Sequence, residues 1–112
     1  MTTPADELRA ATQKLRSTCN AAAPGPWTIA KVPPYTDPLL MSRFEETPAD
    51  GEVLIVGNID IEPEDQAVVQ LLHPGVGLAL ADLLDDQADG DDEGVINPWA
   101  LAVARAINGS AR

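Results

Sequence analysis

Four of the ten prolines in this chain each follow a residue able to cap a helix, at Thr3-Pro4, Glu62-Pro63, His73-Pro74 and Asn97-Pro98. Proline suits the first helical position because its φ is preset and its missing N–H would have been unpaired there, so each pair marks a helix start. Behind Pro4, the residues Leu8, Ala11, Leu15, Cys19 and Ala22 recur at three- and four-residue steps, while Arg9, Lys14 and Arg16 mostly fall off that stripe. The spacing predicts an amphipathic helix over about 4–21. Val68, Val69, Leu71 and Leu72 predict a short helix over about 63–72, and Val76, Ala79, Leu80, Leu83 and Leu84 a second one from Pro74. A last helix carries Trp99, Leu101, Val103, Ala104 and Ile107, and Asn108-Gly109 should end it in a left-handed cap.

The segment between the first two helix starts reads differently. Ala23-Pro24-Gly25-Pro26 is a rigid turn that no helix can cross, and Trp27 to Val32 then alternates as a half-buried strand does, up to Pro33-Pro34. Residues 33–51 are ambiguous between a loop and an edge strand near Leu39 to Glu45, with a turn at Asp50-Gly51. Glu52 to Asn58 is the strongest strand signal, because β-branched residues dominate a short apolar run, and it is expected at the centre of the sheet. The expected fold class is therefore α+β: an N-terminal helix, a small antiparallel sheet of two to three strands, then three helices packed on one face. The expectation is a single domain over residues 1–112, with an acidic, flexible loop at 85–94.

Composition limits the core. Hydrophobic residues are 45% of the chain, but many are Ala, and the aromatics are only Trp27, Tyr35, Phe44 and Trp99. So small a store of bulky apolar side chains favours covering part of the surface with a second copy, and a homo-oligomer is expected. Cys19 is alone, so there is no intramolecular disulfide. No apolar run approaches the roughly twenty residues that span a bilayer, and no signal-peptide pattern precedes the first helix, which leads to the expectation of a cytoplasmic protein with no membrane partner.

Charge is the main constraint on function. Between Arg43 and Arg105 there are fifteen Asp or Glu residues and no Lys or Arg, in a chain of formal charge -11 and pI about 4.1. Phosphate backbones and anionic lipids repel such a stretch, so direct nucleic-acid binding is disfavoured and a basic protein surface is favoured. Within it, Asp82, Asp85, Asp86, Asp89, Asp91, Asp92 and Glu93 form the candidate partner-binding face. A calcium loop can be laid on Asp85, Asp89, Gly90 and Asp91, but Gln87 falls at the third ligand position, Asp92 at an apolar position and Ile96 at the twelfth, where a bidentate Glu belongs. No metal and no cofactor is expected.

Catalytic patterns are equally thin. His73 is the only histidine and precedes Pro74, where an imidazole can accept from the free N–H groups of the helix that follows. Cys19 lies on an apolar stripe and reads as a small core residue. Gly75 and Gly77 complete no phosphate-loop pattern and are better explained by close helix packing. Trp27 and Trp99 read as core or rim anchors, and an exposed indole among them would suit a binding hot spot.

Ala23-Pro24-Gly25-Pro26-Trp27 after an amphipathic helix, the run Leu72-His73-Pro74-Gly75-Val76-Gly77-Leu78-Ala79-Leu80-Ala81-Asp82-Leu83-Leu84, and Ala100 to Ile107 resemble a pattern in small uncharacterised accessory proteins of actinobacterial phages and prophages. The resemblance covers the first 30 residues and about 65–109, and implies the cytoplasm of a bacterial host. It supplies no catalytic residue. The first expectation is thus a non-enzymatic protein that binds and modulates or inhibits a host protein through an acidic surface. The second is a sponge for a nucleotide immune signal, with Trp27, Tyr35 or Trp99 for stacking and Lys31 or Arg43 for phosphate. A small carboxylate-dependent hydrolase is the third, and no spacing fixes a carboxylate pair for it.

Overall fold

The computed structural model describes residues 2–31, 33–34, 36–42, 54–90 and 94–109. In chain order the elements are α1 (Pro4–Ala21), β1 (Trp27–Ala30), β2 (Leu39–Ser42), β3 (Leu54–Asn58), α2 (Pro63–Leu71), α3 (Pro74–Gln87) and α4 (Pro98–Asn108). All four expected prolines open a helix. The α+β order also matches: one helix, a three-stranded antiparallel sheet, then three helices.

Helix ends follow local chemistry. Thr3 and Asp6 form a reciprocal box, the Asp6 N–H donating to Thr3 Oγ1 at 3.1 Å and the Thr3 N–H to Asp6 Oδ2 at 3.3 Å. Asn97 Oδ1 accepts from the N–H groups of Trp99 at 2.8 Å and Ala100 at 3.2 Å, and Gly109, with φ 71°, closes α4 in the left-handed region that favours glycine. Before α3, His73 Nδ1 accepts from the Gly75 N–H at 3.1 Å. Glu62 precedes α2 without a side-chain bond to it.

The sheet differs from expectation in one respect. Its order is β1-β2-β3, so the ambiguous segment at Leu39–Ser42 is the central strand, neither loop nor edge, while the strong apolar run at Leu54–Asn58 is an outer strand. Position in a sheet depends on partners across it, and in this meander the strand that is second in sequence pairs on both sides. Thr28 opposes Met41 and Ala30 opposes Leu39, so the buried Leu39 and Met41 share one face with them. Between β2 and β3 the register shifts: Leu40 faces Gly57 but Met41 faces Ile55, leaving Val56 as a bulge. The first strand ends at Ala30, one residue before Lys31 of the expected run, and Val32 and the expected turn at Asp50-Gly51 lie outside the described residues.

The chain expected to form one domain divides by its contacts into two compact units, residues 1–19 with 77–112, and residues 20–76. In the first, Leu8, Ala11, Leu84, Ala88 and Ala104 form the buried cluster, with Leu15, Leu80, Ile96, Ala100, Leu101 and Ile107 packed around it. Three of those five buried residues are alanines, and small side chains let helix backbones approach closely. Gly77 shows how closely: a Cβ there would fall inside contact distance of Cys19 Sγ and 3.9 Å from Leu15 Cδ2. The Thr12 hydroxyl, buried among these helices, donates to the Ala81 carbonyl at 3.5 Å.

In the second unit, α2 lies against β1 and the Ala23–Pro26 turn braces the sheet. Ser42 Oγ donates to the Pro24 carbonyl, and Trp27 Nε1 donates to the Ala23 carbonyl at 2.9 Å. A Cβ on Gly25 would run into the His73 ring, so the Pro-Gly-Pro turn and the Leu-His-Pro-Gly junction meet through a side chain that only glycine accommodates. Among the described residues no single helix is long and apolar enough to cross a membrane.

Candidate functional site

The acidic residues of α3 and of the turn that follows it keep a helical periodicity. Asp82, Asp85 and Asp89 step by three and four along one side, and Arg9 and Arg16 step by seven along α1, the same two-turn interval. The two helices run antiparallel and bring these rows together. Arg16 Nη2 donates to Asp82 Oδ1 at 3.0 Å and reaches Asp85 Oδ2 at 3.5 Å, while Arg9 Nη2 lies 3.7 Å from Asp89 Oδ1. The hydrogen bond to Asp82, reinforced by the field of both carboxylates, holds the Arg16 guanidinium charged beyond its already high ordinary range. A second link of this kind joins α4 to α1, where Arg105 Nε and Nη2 grip the two carboxylate oxygens of Glu7 at 3.1 and 3.3 Å.

The expected acidic loop at 85–94 is corrected by this arrangement. Asp85, Asp86 and Gln87 belong to the last turn of α3, and Ala88 and Asp89 follow in a turn. The helix continues because Leu84 and Ala88, one turn apart, both enter the buried cluster, and because Arg16 neutralises the charge beside them. Asp85 therefore occupies a helix, which removes the first position of a calcium loop. Among the described residues no group of three or more His, Cys, Asp or Glu is placed to hold a metal. Asp91, Asp92 and Glu93, the remainder of the expected partner-binding face, lie outside the described residues.

Three of the four described acids on that face thus have intramolecular partners. Asp86 is the exception: it is exposed and makes no ion pair among the described residues. It sits one turn from Leu83, and Leu83 belongs to a different kind of surface. Leu83 and Gln87 of α3, with Asn97 at the α4 cap and Trp99, Ala100 and Val103 of α4, line a shallow, mainly apolar depression of about 250 Å³. Trp99 is 80% exposed and Leu83 54%. The Asn97 cap fixes the first turn of α4 and so the direction in which the indole leaves the helix.

The residues proposed for nucleotide stacking are distributed otherwise. Trp27 and Lys31 belong to residues 20–76 and Trp99 to the other unit, while Tyr35 and Arg43 lie outside the described residues. Trp27 is half-buried and its N–H is committed to the Ala23 carbonyl; Lys31 is exposed. Sequence reasoning missed Leu83 and Val103 as surface residues, because both sit at helical spacings that elsewhere mark a core. The exposed Trp at the first turn of α4 was the available signal.

No family model matches the chain, and no curated protein and no solved structure matches it either.

Proposed function

We propose that this protein is a non-enzymatic binding module of the bacterial cytoplasm, a phage-type accessory protein that engages a host protein through the Trp99 depression and the acidic end of α3. The observation that carries the reading is Trp99 itself, 80% exposed at the rim of an apolar depression. A monomer loses by leaving an indole in water, whereas a partner that covers it gains apolar burial together with the aromatic anchoring typical of interface hot spots. Asp86, exposed one turn from Leu83 and next to Gln87 on α3, adds the charge. A partner presenting an apolar side chain flanked by Lys or Arg would fill the depression and meet Asp86, and the acidic surroundings would accelerate its approach. The arginine-paired Asp82, Asp85 and Asp89 contribute to that field at close range rather than as free acceptors.

The test compares capture from an actinobacterial lysate by the native chain, by Trp99→Ala and by Asp86→Lys, at low and high salt. The expected result is a basic protein retained by the native chain, released by salt, and lost to both variants, with Trp99→Ala costing about 2 kcal/mol or more of binding. A partner held equally well by Trp99→Ala sinks this site. A co-purified nucleotide without a protein partner would replace the reading with the sponge.

A further inference from the structure

Helix α2 is built inside out. Its half-buried positions are Gln66, Val69 and Gln70, none of its residues is fully buried, and its outward stripe holds Val68 at 53%, Leu71 at 69% and the flanking Leu72 at 61% exposure. One hydrogen bond to the sheet sets this orientation, supported by two local ones. Gln70 Oε1 accepts from the Ile29 N–H of β1 at 3.0 Å, Gln70 Nε2 donates to the Gln66 carbonyl at 3.4 Å, and Gln66 Nε2 donates to the Ile61 carbonyl at 3.0 Å. The other two bonds are local to α2 and its approach and hold Gln70 in place, whereas turning the apolar stripe inward would carry Gln70 away from β1 and leave the Ile29 amide without its acceptor. The protein therefore holds three large apolar side chains in water at positions 68, 71 and 72, one contiguous helical patch.

Charge around the patch identifies what covers it. Glu64 and Asp65 occupy the first turn of α2, Asp60 and Glu62 precede it, and all four are exposed with no ion pair among the described residues. A second copy packed through the same face would set these carboxylates against their own kind, since no Lys or Arg occurs between Arg43 and Arg105 to offset them. Anionic lipid meets the same repulsion. We infer that α2 docks an amphipathic segment of a partner protein whose apolar face is flanked by Lys or Arg, its leucine-like side chains on Val68, Leu71 and Leu72 and its cations on Asp60, Glu62, Glu64 and Asp65. No residue of this surface lines the Trp99 depression, and each reading can fail without the other.

The experiment titrates the full chain with a synthetic Leu/Lys peptide of helical periodicity and with its Leu/Glu counterpart, reading fluorescence anisotropy of the labelled peptide. The proteins are native, Leu71→Ser/Leu72→Ser, Glu64→Lys/Asp65→Lys and Trp99→Ala, each checked by circular dichroism. The expected result is binding of the Leu/Lys peptide alone, weakened at least about tenfold by either α2 double variant and unchanged by Trp99→Ala. Because the charge variant leaves the apolar residues in place, a folding defect in one variant does not obscure the other. Equal binding by native and Leu71→Ser/Leu72→Ser protein, or loss through Trp99→Ala instead, overturns the inference. So does sedimentation showing a dimer of the chain, or binding to neutral phosphatidylcholine vesicles, that Leu71→Ser/Leu72→Ser abolishes.

Discussion

The helices of the two compact units differ in how they treat charge and apolar side chains. In residues 1–19 with 77–112, buried Leu and Ala form one cluster, and the acids Glu7, Asp82, Asp85 and Asp89 are all matched by arginines of neighbouring helices. In residues 20–76, α2 buries no residue fully, Leu71 and Leu72 face water, and the acids around its start have no ion pair among the described residues. The helix caps show the same contrast: Thr3 and Asn97 bond their helices, while Glu62 does not. Around α1 and α3 these charges are matched within the first unit, which leaves Trp99 and Leu83 among its exposed apolar side chains, whereas the start of α2 leaves both its acids and its apolar stripe unmatched among the described residues. Substitutions at Leu84 and Asn97, each set beside a counterpart in the second unit, can break that contrast, and those at Gly77 and Arg16 sharpen the account of the first.

The largest effect is expected at Leu84. It is buried against Leu8 and Ala104, so Leu84→Ala should cost about 2–5 kcal/mol in urea unfolding, through lost transfer energy plus the cavity left behind. Leu71→Ala, on an exposed site, should change stability by at most about 0.5 kcal/mol. A Leu71→Ala cost approaching that of Leu84→Ala would mean that α2 is covered in the isolated chain and the contrast is false.

Gly77 comes next. Alanine in place of a helical glycine ordinarily stabilises by about 1 kcal/mol, but here the added methyl would enter the space of Cys19 Sγ. Overpacking should prevail and destabilise by about 1–3 kcal/mol. The double variant Cys19→Ala/Gly77→Ala removes the obstructing sulfur and should recover most of the loss, an interaction readable in a double-mutant cycle. Additive effects of the two substitutions would show that the helices are not in close approach at this point.

Helix caps give a finer test. Asn97→Ala removes the acceptor for two N–H groups and should cost about 1 kcal/mol, whereas Glu62→Ala, which removes no cap bond, should be close to neutral. Glu62→Asp should even gain a few tenths of a kcal/mol if its shorter side chain reaches the α2 amides. A large loss in Glu62→Ala would mean that the carboxylate supports α2 in another way, through the positive end of the helix dipole.

These expectations also mark what the sequence could and could not disclose. The helix starts were legible because a cap followed by proline is local chemistry, complete within two residues. The strand at Trp27 was legible from its alternation. The sheet order was not, because Leu39–Ser42 became central through pairing with two segments, one of them twelve residues beyond its end, and apolar content alone favoured Leu54–Asn58. The end of α3 was misplaced because a run of Asp suggested solvent, while Leu84 and Ala88 kept the core stripe going beneath the charges. On the candidate site, Trp99 stood out in the sequence as one of two tryptophans, and its exposure came only with the structure. The matching seven-residue spacings of Arg9 with Arg16 and Asp82 with Asp89 were present in the sequence, and only the antiparallel packing of α1 on α3 gave them meaning. The Ile29 N–H of β1, accepted by Gln70, sets which side of α2 faces outward, and nothing in an apolar periodicity could have revealed that.

The smallest expected effect concerns the arginines. Arg16 bridges Asp82 and Asp85 but remains open to solvent, so its ion pairs should add little to stability and weaken with salt. On the arginine side the sign is definite. A cation whose folded pKa is raised contributes stability that is complete below its unfolded pKa and lost only as pH climbs through the folded value. For Arg16 that window lies above any pH at which proteins are ordinarily handled, so its charge cannot switch the pairing between neutral and moderately alkaline conditions. Arg16→Gln should therefore leave the urea midpoint almost unchanged at all such pH values, while freeing Asp82 and Asp85. If binding of a basic partner at the end of α3 depends on field strength, this variant should bind it faster at low salt and equally at high salt. A variant that binds more slowly would show that Arg16 holds α3 in the geometry the partner recognises, making the charge matching part of the binding surface itself.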